Sequence, residues 1–321
     1  MRADWTRRSF LGASFWALQG LNLSSSAQGK KRRSLRNFKL GIITDEISQD
    51  LSQSIDFIST YHLPCCELRD LWKKNIMNAS QGELEKAKRL IQEHHLEVAD
   101  IASPLFKYNL PEMPAQPSER RDTFLANFTD RDTEDLLKRS VELARFFGTS
   151  KIRVFSFWRV EEPEKAYPFV RDRLARAADF AAKNHVVLVL ENEGACNIGT
   201  GKELGRILRD INSPALRGNW DPGNCVPLGE VPFPDGYEAV RGLFAHMHVK
   251  DARKDPQTGN IVWAPVGSGI IDYRGQFMAL RRDGYQGTIS LETHYRRADG
   301  NPMESTRESL EGLLKVLSAV A

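Results

Sequence analysis

Carboxylates and histidines stand at or near the carboxyl ends of short apolar runs. Glu191, Asp221 and Glu292 each end such a run, and His246 and His248 lie together in another. If these runs are parallel strands of one sheet, their side chains converge on a small volume. Crowded like charges are costly unless a cation or a proton intervenes. The pattern therefore predicts a divalent metal held by Glu191, Asp221, His248 and Glu292.

The residue types narrow the choice of metal. Three carboxylates and one imidazole form a mostly hard ligand set, which favours Mn²⁺ and also suits Mg²⁺, Co²⁺ or Zn²⁺. His246 shares a strand face with His248, and we prefer His248 because it lies nearer the carboxyl end. Glu193 has the same parity as Glu191, but the following Gly194 indicates that the strand has already ended.

Such a site suits proton transfer at a carbon next to a carbonyl. A metal chelated by neighbouring carbonyl and hydroxyl oxygens stabilises an enediolate. One carboxylate removes the proton and a second returns it on the opposite face, so we predict Glu191 and Glu292 as the catalytic pair. Substrate contacts are expected from residues near the same end of the strands, with His246 equally suited to a role behind the ligands: Lys107, Trp158, His246, Lys250 and Arg253.

The elements that position these residues alternate regularly along the chain. Eight apolar runs alternate with amphipathic segments, which predicts a single-domain (β/α)₈ TIM barrel over residues 38–321, with its site at the carboxyl ends of the strands. A doubly wound open sheet is the runner-up, but its glycine-rich first turn is missing. The predicted strands are Lys39–Asp45, Pro64–Leu68, Glu97–Ala102, Lys151–Phe155, Val186–Glu191, Leu216–Asp221, Ala245–Val249 and Thr288–Glu292.

Helix starts and long loops support this division. Ser80 with Glu83 and Thr200 with Glu203 have the spacing of capping boxes, and Asn301-Pro302 has the form of a helix start. The loops 103–129 and 251–272 follow strands and are expected to wall the site. Val266-Gly267-Ser268-Gly269 is expected to form a tight turn rather than a phosphate cradle.

Several segments together resemble a known family. They are Glu191-Asn192-Glu193, Trp220-Asp221-Pro222-Gly223-Asn224, His246-Met247-His248-Val249-Lys250-Asp251 and Ser290-Leu291-Glu292-Thr293-His294. In this order they resemble the xylose-isomerase-like TIM-barrel family of sugar isomerases and epimerases, over residues 38 to about 318. The resemblance to its ketose 3-epimerases implies one metal on Glu191, Asp221, His248 and Glu292, with both glutamates as acid–base groups. Asn224 stands where some epimerases carry histidine, so its substrate contact differs.

The first 27 residues carry the features of an export signal. Arg7-Arg8 precede an apolar stretch that is shorter than the ~20 residues needed to span a bilayer, and small residues follow at 24–27. The pattern resembles a twin-arginine signal, read by the translocase during export. We predict a signal peptide at 1–27, a basic linker at 28–37 and the barrel at 38–321. The expected location is the periplasm or cell envelope, without stable membrane insertion.

The composition and the predicted metal site together rank the candidate functions. A net charge of +3 and four cysteines without metal-type spacing argue against a nucleic-acid binder and a zinc finger. We predict a metal-dependent isomerase or epimerase of a small ketose or keto-sugar, and a homo-oligomer is compatible with the sequence. A lyase or dehydratase acting on a keto-glycoside or inosose would use the same site. A non-catalytic sugar-binding relative and a histidine-rich apurinic endonuclease fit the sequence less well.

Overall fold

The computed structural model describes residues 38–117 and 122–320. The predicted signal peptide and the basic linker lie outside these residues. Among the described helices, none combines the length and the apolar character that a membrane crossing requires.

Eight parallel strands form one sheet that curls into a barrel. From the second to the eighth, each strand pairs with the next one along the chain, and the eighth pairs with the first. A parallel bridge between Ile43 and Glu67 brings the first and second strands together at the two ends of the sheet. All eight predicted strands are present, and because the ends of the sheet meet, the open-sheet alternative is wrong. The strands are β1 Lys39–Ile42, β2 Cys65–Leu68, β3 Glu97–Ile101, β4 Lys151–Val154, β5 Val187–Glu191, β6 Leu216–Trp220, β7 Phe244–Val249 and β8 Thr288–Leu291.

Helices follow the strands and cover the barrel. Ser80 and Thr200 make the predicted capping boxes, and Asn301 caps the last helix through its side chain. After β6 the connection is irregular, with a short helix Pro222–Cys225 before the helix Tyr237–Val240. The helices are α1 Leu51–Thr60, α2 Gln81–Glu93, α3 Thr133–Phe147, α4 Pro163–Lys183, α5 Gly201–Ile211, α6 Tyr237–Val240, α7 Tyr273–Arg282 and α8 Pro302–Ala319.

The two faces of the strands have different chemistry. On β4, Ile152 and Val154 join the apolar layer beneath the helices, whereas Arg153 between them reaches carboxylates inside the barrel. On β5, Leu188 and Leu190 pack in the apolar layer while Glu191 faces inward. Because strand side chains alternate between faces, the helix layer is hydrophobic and the upper barrel interior is charged.

The loops at the carboxyl ends form the walls of the site. After β7, residues Asp251–Lys254 pair with Ile261–Ala264 in an antiparallel hairpin. The next segment is a tight turn, as predicted. The backbone N–H groups of Gly267 and Gly269 donate to Asp251 Oδ2 at 2.9 and 3.0 Å, so a carboxylate of the chain itself occupies this turn.

Candidate metal centre

The structure brings the four predicted ligands into one cluster at the carboxyl ends of the strands. Glu191 ends β5, Asp221 follows β6, His248 lies in β7 and Glu292 follows β8. One donor atom from each lies within 4.8 Å of the others. His248 Nδ1 is 3.5 Å from Glu191 Oε1, 3.6 Å from Glu292 Oε2 and 4.0 Å from Asp221 Oδ2. The imidazole therefore faces all three carboxylates.

The donor set fits a divalent cation. Glu191 Oε2 and Asp221 Oδ2 are buried, and their contacts with described residues are the ion pairs with Arg153 at 3.4 Å and Lys250 at 2.8 Å. Three buried carboxylates around one small volume repel one another, and a divalent ion offsets that repulsion. Three carboxylate donors and one imidazole suit Mn²⁺, Mg²⁺, Co²⁺ or Zn²⁺. These four residues are therefore chemically suited to hold one such ion.

Three buried cations of the chain adjoin the cluster. Lys250 Nζ lies 2.8 Å from Asp221 Oδ2 and forms a second ion pair with Glu292 Oε2. Arg153 Nη1 is 3.4 Å from Glu191 Oε2, and Arg69 Nη1 is 3.4 Å from Glu292 Oε1. Lys250 was predicted as a substrate contact, and the structure places its Nζ against Asp221 and Glu292 of the cluster. The inward parity of Arg153 on β4 is the sequence signal that would have found it.

Glu67 holds His248 in orientation from below. Its Oε1 is 2.9 Å from His248 Nε2, and its Oε2 is 3.0 Å from His246 Nε2. When His248 Nε2–H donates to Glu67, its Nδ1 presents a lone pair to the carboxylates, an arrangement common behind metal-bound histidines. His246 is fully buried at this deeper level. The structure therefore places His246 behind the cluster, against Glu67.

Burial and neighbouring charges set the protonation of the cluster. Burial raises the pKa of Asp221 to about 6, with Lys250 opposing the shift and Glu292 and Glu191 adding to it. Burial also opposes ionisation of Glu292, but Lys250 and His294 outweigh it and hold the pKa of Glu292 well below its usual range. Glu292 is thus a carboxylate at neutral pH, as a proton acceptor must be.

A cavity of about 360 Å³ opens onto the cluster, and we call it the reaction cavity. Glu292 lies in its wall, and two predicted substrate contacts line it. Asn224 Nδ2 donates to Glu191 Oε1 at 3.2 Å. Lys107 Nζ lies 3.5 Å from the centre of the Phe124 ring. The other lining residues are Asp122, Glu193, Gly194, Ala195, Pro227, Leu228, Ile261, Trp263 and His294.

Two further predicted contacts do not line this cavity. Trp158 is buried in a small apolar cluster with Phe124, Phe155 and Cys196. Arg253 is exposed on the hairpin after β7, where its neighbour Ala252 is the buried one. Strand alternation turns the side chain at 253 outward. Trp263, from the opposite strand of this hairpin, does line the cavity and was not predicted.

Comparisons with known proteins relate this chain to a wider group. Inosose dehydratase of Geobacillus thermodenitrificans is 25% identical over 154 residues, which are 44% of this chain and 51% of that protein. The chain thus spans about half the length of this curated relative. The region of likeness is therefore one part of each protein.

Solved structures match over a larger region. A xylose isomerase-like TIM barrel protein from Mycobacterium smegmatis, in complex with magnesium, has a TM-score of 0.61 at 20% identity, over 84% of this chain and 89% of its own. For 3-keto-D-glucoside 4-epimerase YcjR from E. coli the TM-score is 0.62 at 19% identity, over 87% of this chain and 99% of that protein. These likenesses show a shared fold. The sequence profile of the family matches residues 56–316, and the chain belongs to the xylose isomerase-like TIM barrel family.

Proposed function

We propose that this protein is a divalent-metal-dependent isomerase or epimerase of a small ketose or keto-sugar. The observation that carries the proposal is the placement of Glu191 and Glu292. Their carboxylates lie 3.5 and 3.6 Å from the same His248 nitrogen, at most 2% exposed, beside a cavity of about 360 Å³. Two buried carboxylates beside one reacting carbon can accept a proton and return it.

The residues of the cluster have different proposed roles. Glu191, Asp221, His248 and Glu292 would hold the ion, which supplies polarisation of a carbonyl and its neighbouring hydroxyl. Glu292 is the proposed base because it is ionised at neutral pH and lines the reaction cavity. Lys250 Nζ, beside Glu292 Oε2, helps to keep that carboxylate ionised.

Isotope exchange tests the proposal. The Mn²⁺-loaded protein is incubated in D₂O with ketoses, inososes and 3-keto-glycosides, and products are followed by NMR and mass spectrometry. Deuterium at carbon without cleavage supports isomerisation or epimerisation. The Glu292→Gln variant should exchange ~10²–10⁴-fold more slowly while still binding metal. Near-normal exchange in metal-saturated Glu292→Gln would refute its role as base.

A lyase is the second candidate, and the likeness to an inosose dehydratase favours it. Elimination begins with the same removal of a carbon-bound proton and differs in the next step, in which a leaving hydroxyl or alkoxide departs. In the same D₂O experiment, release of a leaving group with formation of an unsaturated ketone would identify the lyase. Epimerisation retains every substituent of the substrate, so the two outcomes are distinct.

We also propose that residues 1–27 direct the folded protein to the periplasm or cell envelope through the twin-arginine translocase. The proposal rests on Arg7-Arg8 and the short apolar stretch after them. Replacing both arginines with lysine should retain the precursor in the cytoplasm, as followed by cell fractionation and immunoblotting. Export of the Arg7→Lys/Arg8→Lys precursor at the normal rate would contradict it.

A further inference from the structure

A second and larger cavity adjoins the reaction cavity. Its volume is about 610 Å³, and we call it the outer cavity. The two cavities share four lining residues, Asp122, Phe124, Trp263 and His294. The Trp263 and His294 rings meet edge to face with their centres 5.1 Å apart. The outer cavity thus begins at the residues that border the reaction cavity.

Arg69 connects the two cavities at their floor. Its Nη1 lies 3.4 Å from Glu292 Oε1 in the cluster. Its Nη2 lies 2.6 Å from Asp45 Oδ2 and 2.7 Å from Glu46 Oε1, and both carboxylates line the outer cavity. Arg296 binds the other oxygen of Glu46 at 2.9 Å. The carboxylates of Asp45 and Glu46 are therefore paired with arginines. No charged ligand is needed to compensate them.

The remaining lining of the outer cavity suits a neutral, hydroxyl-rich ligand. Gln49, Asp70, Lys73 and Asp122 offer both hydrogen-bond donors and acceptors. Trp263 and Phe124 add aromatic surface, and Leu125 is 59% exposed although it is a large apolar residue. Aromatic and apolar surface combined with a few hydrogen-bonding groups is the common composition of a small-molecule pocket.

We propose that the outer cavity is a subsite for the substituent of a glycoside, so that the preferred substrate is a keto-sugar joined to a second sugar ring. The inference rests on the proposed function, because it assigns the reacting keto-sugar to the reaction cavity. The second ring occupies the outer cavity, where Gln49, Lys73 and Asp122 bind its hydroxyl groups. A free ketose bound in the reaction cavity would leave the outer cavity without a ligand.

Three probes with the same reacting ring test the subsite. They are 3-keto-D-glucose, its methyl glycoside and the disaccharide 3-keto-trehalose, each titrated calorimetrically into the Mn²⁺-loaded protein. We expect the disaccharide to bind at least tenfold more tightly than the methyl glycoside. In Gln49→Trp, where an indole fills part of the outer cavity, this ratio should fall to about one. Met278→Trp is the matched control, because Met278 is exposed on α7 and lines neither cavity.

The outcomes separate the subsite from the proposed function. Equal affinity for disaccharide and methyl glycoside, or a ratio that Gln49→Trp leaves unchanged, overturns the subsite. Deuterium exchange in the same samples reports on the function alone. Deuterium exchange without a preference for the disaccharide supports the proposed function and overturns the subsite. A Gln49-dependent preference without exchange or elimination retains the subsite and removes the proposed activity. Failure of all three probes to bind overturns the subsite, and the wider panel of ketoses and inososes tests the function separately.

Discussion

Lys250 gives the most direct test of the electrostatics of the cluster. Its side chain is 2% exposed and its Nζ lies 2.8 Å from Asp221 Oδ2, with Glu292 as its second partner. Methionine keeps most of the side-chain volume and removes the charge. Removing one partner of a buried ion pair costs about 3–5 kcal/mol, because the other partner keeps an uncompensated buried charge. We therefore expect Lys250→Met to lose about 3–5 kcal/mol of unfolding free energy in EDTA.

A divalent ion should restore most of this loss. A ligand that binds only the folded state adds about 4 kcal/mol at roughly a thousand times its Kd. With Lys250 gone, the ion no longer competes with the ammonium group for Asp221 and Glu292, so it should bind the variant more tightly and stabilise it more than it stabilises the unchanged protein. Urea unfolding is measured in EDTA and in saturating Mn²⁺. Lys107→Met is the control, since Lys107 is also buried but contacts Phe124 and Glu193 outside the cluster. An equal loss for Lys250→Met in EDTA and in Mn²⁺ would refute this reasoning.

Three other variants test single contacts. Asp221→Asn should lower the metal content, measured by plasma mass spectrometry, well below one ion per chain, and full occupancy would remove Asp221 from the ligand set. Glu67→Gln should weaken Mn²⁺ binding about 10–100-fold by calorimetry, since the orientation of His248 is lost; unchanged affinity would contradict this. Burial, together with Asp45, raises the pKa of Asp70 to about 7. The folded chain thus holds a proton that the unfolded chain releases above pH ~4, and stability falls as pH rises from ~4 to ~7. Asp70→Asn should therefore raise the Tm more at pH ~8 than at pH ~5, and equal shifts would exclude this origin.

The elements of the barrel were predictable because their signals are local. The apolar run before Glu191 and the spacing of Thr200 and Glu203 are properties of neighbouring residues, and the structure has β5 and the cap of α5 there. β1 ends earlier than expected, at Ile42, because Thr44–Glu46 form a 3₁₀ turn.

The composition of the cluster was predictable in part. Parallel strands in a barrel must bring their carboxyl ends together, so Glu191 and Glu292 meet although a hundred residues separate them in sequence. The partners of each charge depend on side-chain direction and on loops from elsewhere in the chain. Three features could not be predicted from the sequence for this reason. They are the pairing of Lys250 with Asp221, the contact of Glu67 with His248 and the outward direction of the Arg253 side chain.

The turn after the β7 hairpin carries an evolutionary consequence. Asp251 accepts hydrogen bonds from the backbone N–H groups of Ala252, Gly267 and Gly269. Such converging N–H groups form an anion-binding concavity, and here the chain supplies the anion. Because this carboxylate occupies the concavity, an external anion binds the turn only by displacing Asp251. Exchange of Asp251 for glycine, one nucleotide away in the genetic code, would free these donors for an anion from solution.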